Sequence, residues 1–248
     1  MFVLAIAPVS LSANLSRADA HRIGRRIWQN ECGGTISGLT SWNAGENFAS
    51  LGIGHFIWYP AGQRGPFEES FPALAKFIRA RGVNTPEFVD DGNRACPWNS
   101  RADFEQAQNS AMMQQLREFL VATVDLQAEF LVARLEASLP RMLAQARDPP
   151  RVQREFDRVA ATSHGCYALI DYVNFKGEGT LPTERYRGEG WGLLQVLENM
   201  SDSKSALDDF AASAKTVLRR RVTNSPPARG EARWLKGWLA RVETYRAR

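Results

Sequence analysis

The chain has 248 residues, of which 44% are hydrophobic and 23% are charged. This composition excludes a disordered chain and supplies enough apolar side chains for one large core or two small ones. The formal net charge of +4 is mild, no basic run is longer than Arg219-Arg220-Arg221, and no nucleic-acid-binding motif occurs, so nucleic acid is not a predicted partner.

The first twelve residues have features of a short export signal. An apolar run over residues 2–9 is followed by Ser10-Leu11-Ser12-Ala13, which offers small residues at the positions that signal peptidase inspects. We interpret residues 1–12 as a possible signal segment and expect a periplasmic or secreted protein; the alternative is an ordinary buried N-terminal segment. No other stretch approaches the roughly eighteen apolar residues of a membrane span, so the sequence predicts no integral membrane span.

Residues 18–59 predict a helix followed by a small β region. Residues 18–30 place Ile23 and Ile27 on one face of an amphipathic helix, which brings Glu31 to its C-terminal end. Gly33 and Gly34 then end the helix. Residues 35–59 are rich in Gly, Asn, Ser and aromatic residues, and the segment Asn43-Ala44-Gly45 indicates a turn between strands.

The rest of the chain is predicted to be mostly helical. Apolar periodicity from residue 100 onward predicts two helices, broken near Ala122-Thr123 or bent at Pro140. Residues 165–175 are apolar almost all round, which is typical of a central buried helix. The other helices are predicted at residues 70–81, 151–161, 193–199, 204–222 and 228–246, with a loop at 83–99.

The Gly-rich segment after the first helix carries a family resemblance. Phage-type lysozymes have a catalytic Glu, a Gly soon after it, and a Gly-Ile-Gly-His stretch with a hydroxyl residue two positions before its first Gly. The chain resembles them at Glu31, Gly33, Ser50 and Gly52-Ile53-Gly54-His55. The resemblance covers roughly the first quarter of the chain and implies a lysozyme-like fold with the β region as one lip of a cleft.

The chain departs from the family pattern at two points. The interval from Glu31 to His55 is 55 − 31 = 24 residues, a few longer than the family pattern leads us to expect. The Asp that usually precedes the hydroxyl residue falls on Ala44, and Glu46 is the only other acid between Glu31 and His55. A non-catalytic glycan-binding or scaffold protein of the same fold therefore remains an alternative to an enzyme.

The chemistry of glycoside cleavage assigns roles to these residues. Protonation of the leaving oxygen needs a carboxylic acid that stays protonated near neutral pH, and Glu31, close to Trp28 at a helix end, suits this role. Glu46 is the candidate base that activates water in an inverting hydrolase, and the Ser50 hydroxyl would help to hold that water. A lytic transglycosylase that uses a single Glu as acid and base is the alternative if Glu46 is too distant.

Other residues are assigned to substrate binding or to the fold around the cleft. In the family that the chain resembles, His55 would be part of the fold around the cleft. Asn174, Tyr186 and Gln195 are candidates for the opposite lip, with simple surface or cap polarity as the alternative. Glu178 is a second candidate acid, because Gly192-Leu193-Leu194-Gln195 is similar to a stretch that follows the catalytic Glu of soluble lytic transglycosylases.

We therefore predict a mainly α (α+β) protein, a single lysozyme-like helical domain over residues 13–248 with a small β lip and a helical insertion near 100–150. It would bind peptidoglycan or a related glycan polymer and cleave the glycan strand. Lysozyme-like folds need no cofactor, and the three scattered histidines do not predict a metal site. Cys32, Cys96 and Cys166 fit either one disulfide with a spare thiol or a reduced chain, and the oligomeric state is left open.

Overall fold

The computed structural model describes residues 15–65, 67–89 and 95–246. It is mainly helical with two small antiparallel sheets, which confirms the predicted α+β class. The described chain divides into two compact units, residues 16–131 and residues 132–246 together with Leu15. The single lysozyme-like domain with an insertion stays a prediction, and the possible signal segment lies outside the described residues.

The first unit contains helices and the larger sheet. Its helices are α1 Arg17–Cys32, α2 Phe71–Arg79, α3 Arg101–Gln106, α4 Ala111–Ala122 and the beginning of α5 Val124–Gln145, with short 3-10 helices at Ser37–Leu39, Glu87–Val89 and Ala107–Asn109. Its antiparallel strands are β1 Thr40–Ser41, β2 Ala49–Leu51 and β3 Phe56–Trp58, hydrogen-bonded in that order. The predicted small β region is therefore confirmed.

Helix α1 is fixed at both ends by local chemistry. The Ser16 hydroxyl accepts a hydrogen bond from the Asp19 backbone, and the Asp19 carboxylate accepts one from the Ser16 backbone, which forms a capping box. At the other end Gly33 adopts φ +62°, a left-handed conformation that ends helices and suits glycine. The helix extends beyond the predicted residue 30, so Glu31 lies inside its last turn.

Residues 100–145 form three helices where two were predicted. The predicted break at Thr123 is present, because α4 ends at Ala122 and α5 begins at Val124. Pro140 lies inside α5, which continues to Gln145. The additional break arises because Ser100 and Ser110 each cap a helix, accepting a hydrogen bond from the backbone N–H three residues ahead.

The second unit is built around one buried helix. Its elements are the end of α5, α6 Pro149–Ala160, α7 Ser163–Lys176, the hairpin of β4 Arg185–Tyr186 and β5 Glu189–Gly190, α8 Leu193–Glu198, α9 Ala206–Asn224 and α10 Ala232–Glu243, with 3-10 helices at Pro182–Glu184 and Pro227–Arg229. Helix α7 is buried without interruption over residues 165–172, which confirms the prediction for this segment. Within the described ranges, no helix is both long enough and apolar enough to cross a bilayer.

A buried carboxylate joins α7 to the C-terminal end of this unit. Asp171 is fully buried and accepts two hydrogen bonds from the Arg241 guanidinium, at 2.8 and 2.7 Å, and one from the Tyr245 hydroxyl at 2.5 Å. Burial, and next the Asp171 charge, raises the pKa of Tyr245 well above its usual range. These three side chains form a polar cluster inside the otherwise apolar core of the unit.

All three cysteines are free and buried, which corresponds to the reduced alternative. Burial raises the pKa of the Cys32 and Cys96 thiols to about 12. Because the thiolate is the reacting species, we expect Ellman's reagent at pH 8 to label the native thiols at least about 100-fold more slowly than the same thiols in denaturant. Labelling of a single thiol in denaturant without reductant would instead indicate a disulfide.

Candidate active site

Glu31 lies at the C-terminal end of α1, just before the polar segment that connects this helix to β1. It occupies the last turn of the helix, and its side chain is 15% exposed. The chain reverses at Gly33, and the Trp28 indole N–H donates to the Thr35 carbonyl at 2.9 Å, which closes the segment back onto the helix. The Glu31 side chain is thus largely, but not completely, withdrawn from solvent.

The Gly-Ile-Gly-His segment is the turn that joins β2 to β3. Gly52 donates its N–H to the Leu39 carbonyl at 2.8 Å, and His55 donates its N–H to the Gly52 carbonyl at 3.2 Å. His55 has φ +50°, a left-handed conformation that is uncommon for a residue with a side chain. Backbone conformations of this kind concentrate at functional sites, where the surrounding structure holds them in place.

The turn brings His55 next to Glu31. The Nδ1 atom of His55 lies 3.8 Å from Oε2 of Glu31, and the two side chains are 26% and 15% exposed. This separation is too long for a hydrogen bond but short enough for an ion pair when the imidazole is protonated. The Glu31 carboxylate and the His55 imidazole, 24 positions apart in the sequence, therefore lie close together, and this contact joins the two ends of the motif.

Gln127 of α5 is hydrogen-bonded to this turn, and the sequence pattern gives no indication of that role. Its side-chain oxygen accepts the Ile53 N–H at 2.9 Å, and its amide nitrogen donates to the Leu120 carbonyl at 2.7 Å and to the Thr123 hydroxyl at 3.1 Å. The partner is 74 residues from the turn, so no local pattern indicates the pair. The available signal is an amide side chain between the apolar residues Val124 and Leu131 at helical spacing.

The geometry predicts that Gly52→Ala destabilises the protein. Gly52 has φ +68°, and an added Cβ would lie 2.3 Å from Oε1 of Gln127, so the substitution costs both backbone strain and the contact to the turn. Gly45 has φ +84° with nothing near its Cβ position, and Gly45→Ala isolates the strain. We expect urea unfolding to give a loss of about 2–3 kcal/mol for Gly52→Ala and about 1 kcal/mol for Gly45→Ala. Equal losses would show that the Gln127 contact contributes nothing.

Glu46 is held within its own turn. The Asn43 side-chain amide donates to Oε2 of Glu46 at 3.0 Å, the Glu46 N–H donates to the Asn43 carbonyl, and the Trp42 indole donates to the Glu46 carbonyl at 2.8 Å. Burial raises the pKa of Glu46 above its ordinary value, against the opposing effect of the Asn43 hydrogen bonds. A raised pKa moves a carboxylate toward the range that suits proton transfer near neutral pH.

Ser50 lies in the centre of the three-stranded sheet. It pairs with Ser41 on one side and Ile57 on the other, and it is only 3% exposed. The Ser41 hydroxyl donates to the Ser50 carbonyl at 3.3 Å. In the neighbouring strand β1, the buried Thr40 hydroxyl accepts a hydrogen bond from Arg117 at 3.0 Å, and burial lowers the pKa of Arg117. The catalytic role of Ser50 stays a prediction, at a residue that is buried in the central strand of the sheet.

The three residues assigned to the opposite lip belong to the second unit. Tyr186 donates its hydroxyl to the buried Glu231 carboxylate at 2.9 Å. Gln195 is buried, accepts the Gly192 N–H at 3.0 Å and donates to the Gly179 carbonyl at 3.1 Å. Asn174 is half-buried on α7. Tyr186 and Gln195 thus have structural partners inside their own unit, and substrate binding by the three residues stays a prediction.

Glu178, the second candidate acid, forms an ion pair with Arg141. The Arg141 guanidinium donates to both of its carboxylate oxygens, with Nε 3.1 Å from Oε2, and the Thr180 hydroxyl is 3.4 Å from the same oxygen. A carboxylate held by an arginine fork is the arrangement of a structural ion pair. This geometry favours Glu31 over Glu178 as the acid.

Comparison of the chain with protein-family models, with curated proteins and with solved structures found no match in any of the three. In the part of the chain that the structure describes, no group of three or more His, Cys, Asp or Glu side chains is arranged to hold a metal ion. The functional assignment therefore depends on the motif and on the contacts around Glu31.

Proposed function

We propose that this protein is a lysozyme-like glycosidase that cleaves the glycan strand of peptidoglycan, with Glu31 as the general acid. Peptidoglycan lies outside the cytoplasmic membrane, so the proposal assigns the protein to the periplasm or to the secreted fraction. The observation that carries the proposal is the approach of His55 Nδ1 to within 3.8 Å of Glu31 Oε2, because it joins the acid to the turn that forms the second half of the motif.

The proposed reaction begins with proton transfer from Glu31 to the oxygen of the scissile glycosidic bond. The bond from the anomeric carbon then breaks, and Glu31 becomes a carboxylate at ion-pair distance from His55. In the hydrolytic form, Glu46 takes a proton from a water that attacks the anomeric carbon from the opposite face of the sugar. Ser50 would contribute a hydroxyl that orients this water.

A lytic transglycosylase is the second candidate, and the surroundings of Glu46 support it. The family Asp is replaced by Ala44, and the Glu46 carboxylate is bound within its own turn by Asn43. In this form Glu31 first donates a proton and then accepts one from a hydroxyl of the sugar itself, which closes an anhydro ring. No second carboxylate is then needed.

The test is the chemical identity of the products. Purified peptidoglycan is incubated with the wild-type protein and with Glu31→Gln, and soluble products are identified by mass spectrometry. Reducing ends made only by the wild type support a hydrolase, and anhydro ends made only by the wild type support a transglycosylase. Binding of peptidoglycan without any product from the wild type would contradict the enzyme proposal and indicate the non-catalytic alternative.

A further inference from the structure

The second unit contains a polar cavity of about 190 Å³ that the proposed reaction does not use. The β4–β5 hairpin, α8, α9 and the end of α5 contribute its walls. This volume is smaller than that of pockets that enclose drug-sized ligands. The cavity therefore fits one small polar group. The charged side chains that line it are Arg147, Arg185, Arg220, Glu189 and Glu198.

The charges around the cavity leave an excess of guanidinium groups. Both carboxylates already have contacts, because Glu198 accepts the Arg147 backbone N–H at 2.9 Å and Glu189 lies 3.5 Å from Nε of Arg220. Three arginines against two glutamates give the lining a formal charge of 3 − 2 = +1. The site thus has more positive than negative charge, and its guanidinium donors suit a ligand that is rich in hydrogen-bond acceptors.

One of these donors is buried without a hydrogen-bond partner. The Nε atom of Arg220 is inaccessible to solvent and makes no hydrogen bond within the described residues. Oε2 of Glu189, at 3.5 Å, forms an ion pair with the guanidinium but no hydrogen bond with this atom, and buried N–H groups without a hydrogen-bond partner are uncommon in native proteins. An oxygen of a bound ligand would supply the missing acceptor.

We propose that this cavity binds an oxyanion, a carboxylate or a phosphate carried on a small polar group. The planar donor fork of arginine matches the oxygen spacing of both anions, and charge-assisted hydrogen bonds of this kind are among the strongest. Gln195 lines the wall but is not assigned to the ligand, because its amide already bonds to the Gly192 N–H and to the Gly179 carbonyl. The proposal concerns the second unit alone and does not depend on glycan cleavage.

Titration calorimetry with three probes tests the site. Inorganic phosphate and N-acetylalanine are titrated into the full chain, and N-acetylalaninamide, which lacks the negative charge, is the control ligand. We expect saturable binding of at least one anion and none of the amide. Tighter binding of phosphate would assign a phosphate ligand, and tighter binding of N-acetylalanine would assign a carboxylate. No saturable binding of either anion would overturn the proposal.

Matched variants separate the cavity from the general positive charge of the surface. Arg220→Gln is expected to weaken binding roughly tenfold, and Arg147→Gln, which changes an exposed lining residue, several-fold. Arg219→Gln makes the same charge change at an exposed neighbour on α9 and should alter the affinity less than about twofold. Arg147→Gln carries the test if Arg220→Gln fails to fold, and equal weakening in the Arg219 variant would refute the site.

Discussion

Glu31→Gln is expected to lower the rate of peptidoglycan cleavage by about 10³-fold without unfolding the protein. The substitution keeps the shape of the side chain and removes the proton that the leaving oxygen needs, and general acid catalysis contributes about 10²–10⁴-fold to a rate. The residue lies in the last turn of α1, and glutamine keeps its size there, so we expect the variant to fold like the wild type. The measurement is the initial rate of release of soluble fragments.

Glu118→Gln is the matched control for this prediction. Glu118 is an exposed residue of α4 in the same unit, and the same substitution there should leave the rate within about twofold of wild type. Glu46→Gln distinguishes the two reaction types, because it should abolish hydrolysis but only slightly change a transglycosylase that uses Glu31 alone. Retention of more than a tenth of the activity by Glu31→Gln, with an unchanged melting temperature, would exclude it as the acid.

Asp171→Ala is expected to reduce the free energy of unfolding by about 3–5 kcal/mol. The substitution leaves the Arg241 guanidinium and the Tyr245 hydroxyl without their shared acceptor, and both groups are largely buried. Removal of one partner from a buried ion pair is costly because the remaining charge is uncompensated. A loss of this size is a large part of the 5–15 kcal/mol by which proteins are usually stable. Urea unfolding followed by circular dichroism gives the value.

Two comparisons identify the origin of that loss. Glu243, which is on α10 like Arg241, forms partly exposed ion pairs with Lys215 of α9 and with Arg246, and Glu243→Ala should cost less than about 1 kcal/mol. The triple variant Asp171→Leu, Arg241→Met and Tyr245→Phe removes all the polar groups together and should recover much of the stability. A loss as small as that of Glu243→Ala would show that the buried cluster is energetically unimportant.

The elements of the fold were predictable because their signals are local. The capping residue Ser16 and the Gly33-Gly34 pair mark the two ends of α1 within its own sequence. The unbroken apolar run of α7 likewise indicates burial on every side, and the structure confirms it. Even the predicted break at Thr123 follows from a change in periodicity that a short window contains.

The polar contacts were not predictable because their partners are far apart in the chain. Gln127 is 74 residues from the Ile53 N–H, and Arg241 is 70 residues from Asp171. Composition and periodicity indicate that such residues are polar, but they do not show which group each one meets. The family resemblance assigned Glu31 and His55 to the same cleft, but it did not predict that their side chains lie 3.8 Å apart.

The Gln127 contact also affects how the Gly52–His55 turn moves. A hairpin tip ordinarily frays independently of the helices beneath it, and its amide protons exchange with solvent within that local motion. Here the buried Ile53 N–H is bonded to a side chain that also holds Leu120 and Thr123, at the junction between α4 and α5. Exchange of that amide requires the Gln127 bond to break, so we expect the turn that carries His55 to be less mobile than a hairpin tip without such a contact.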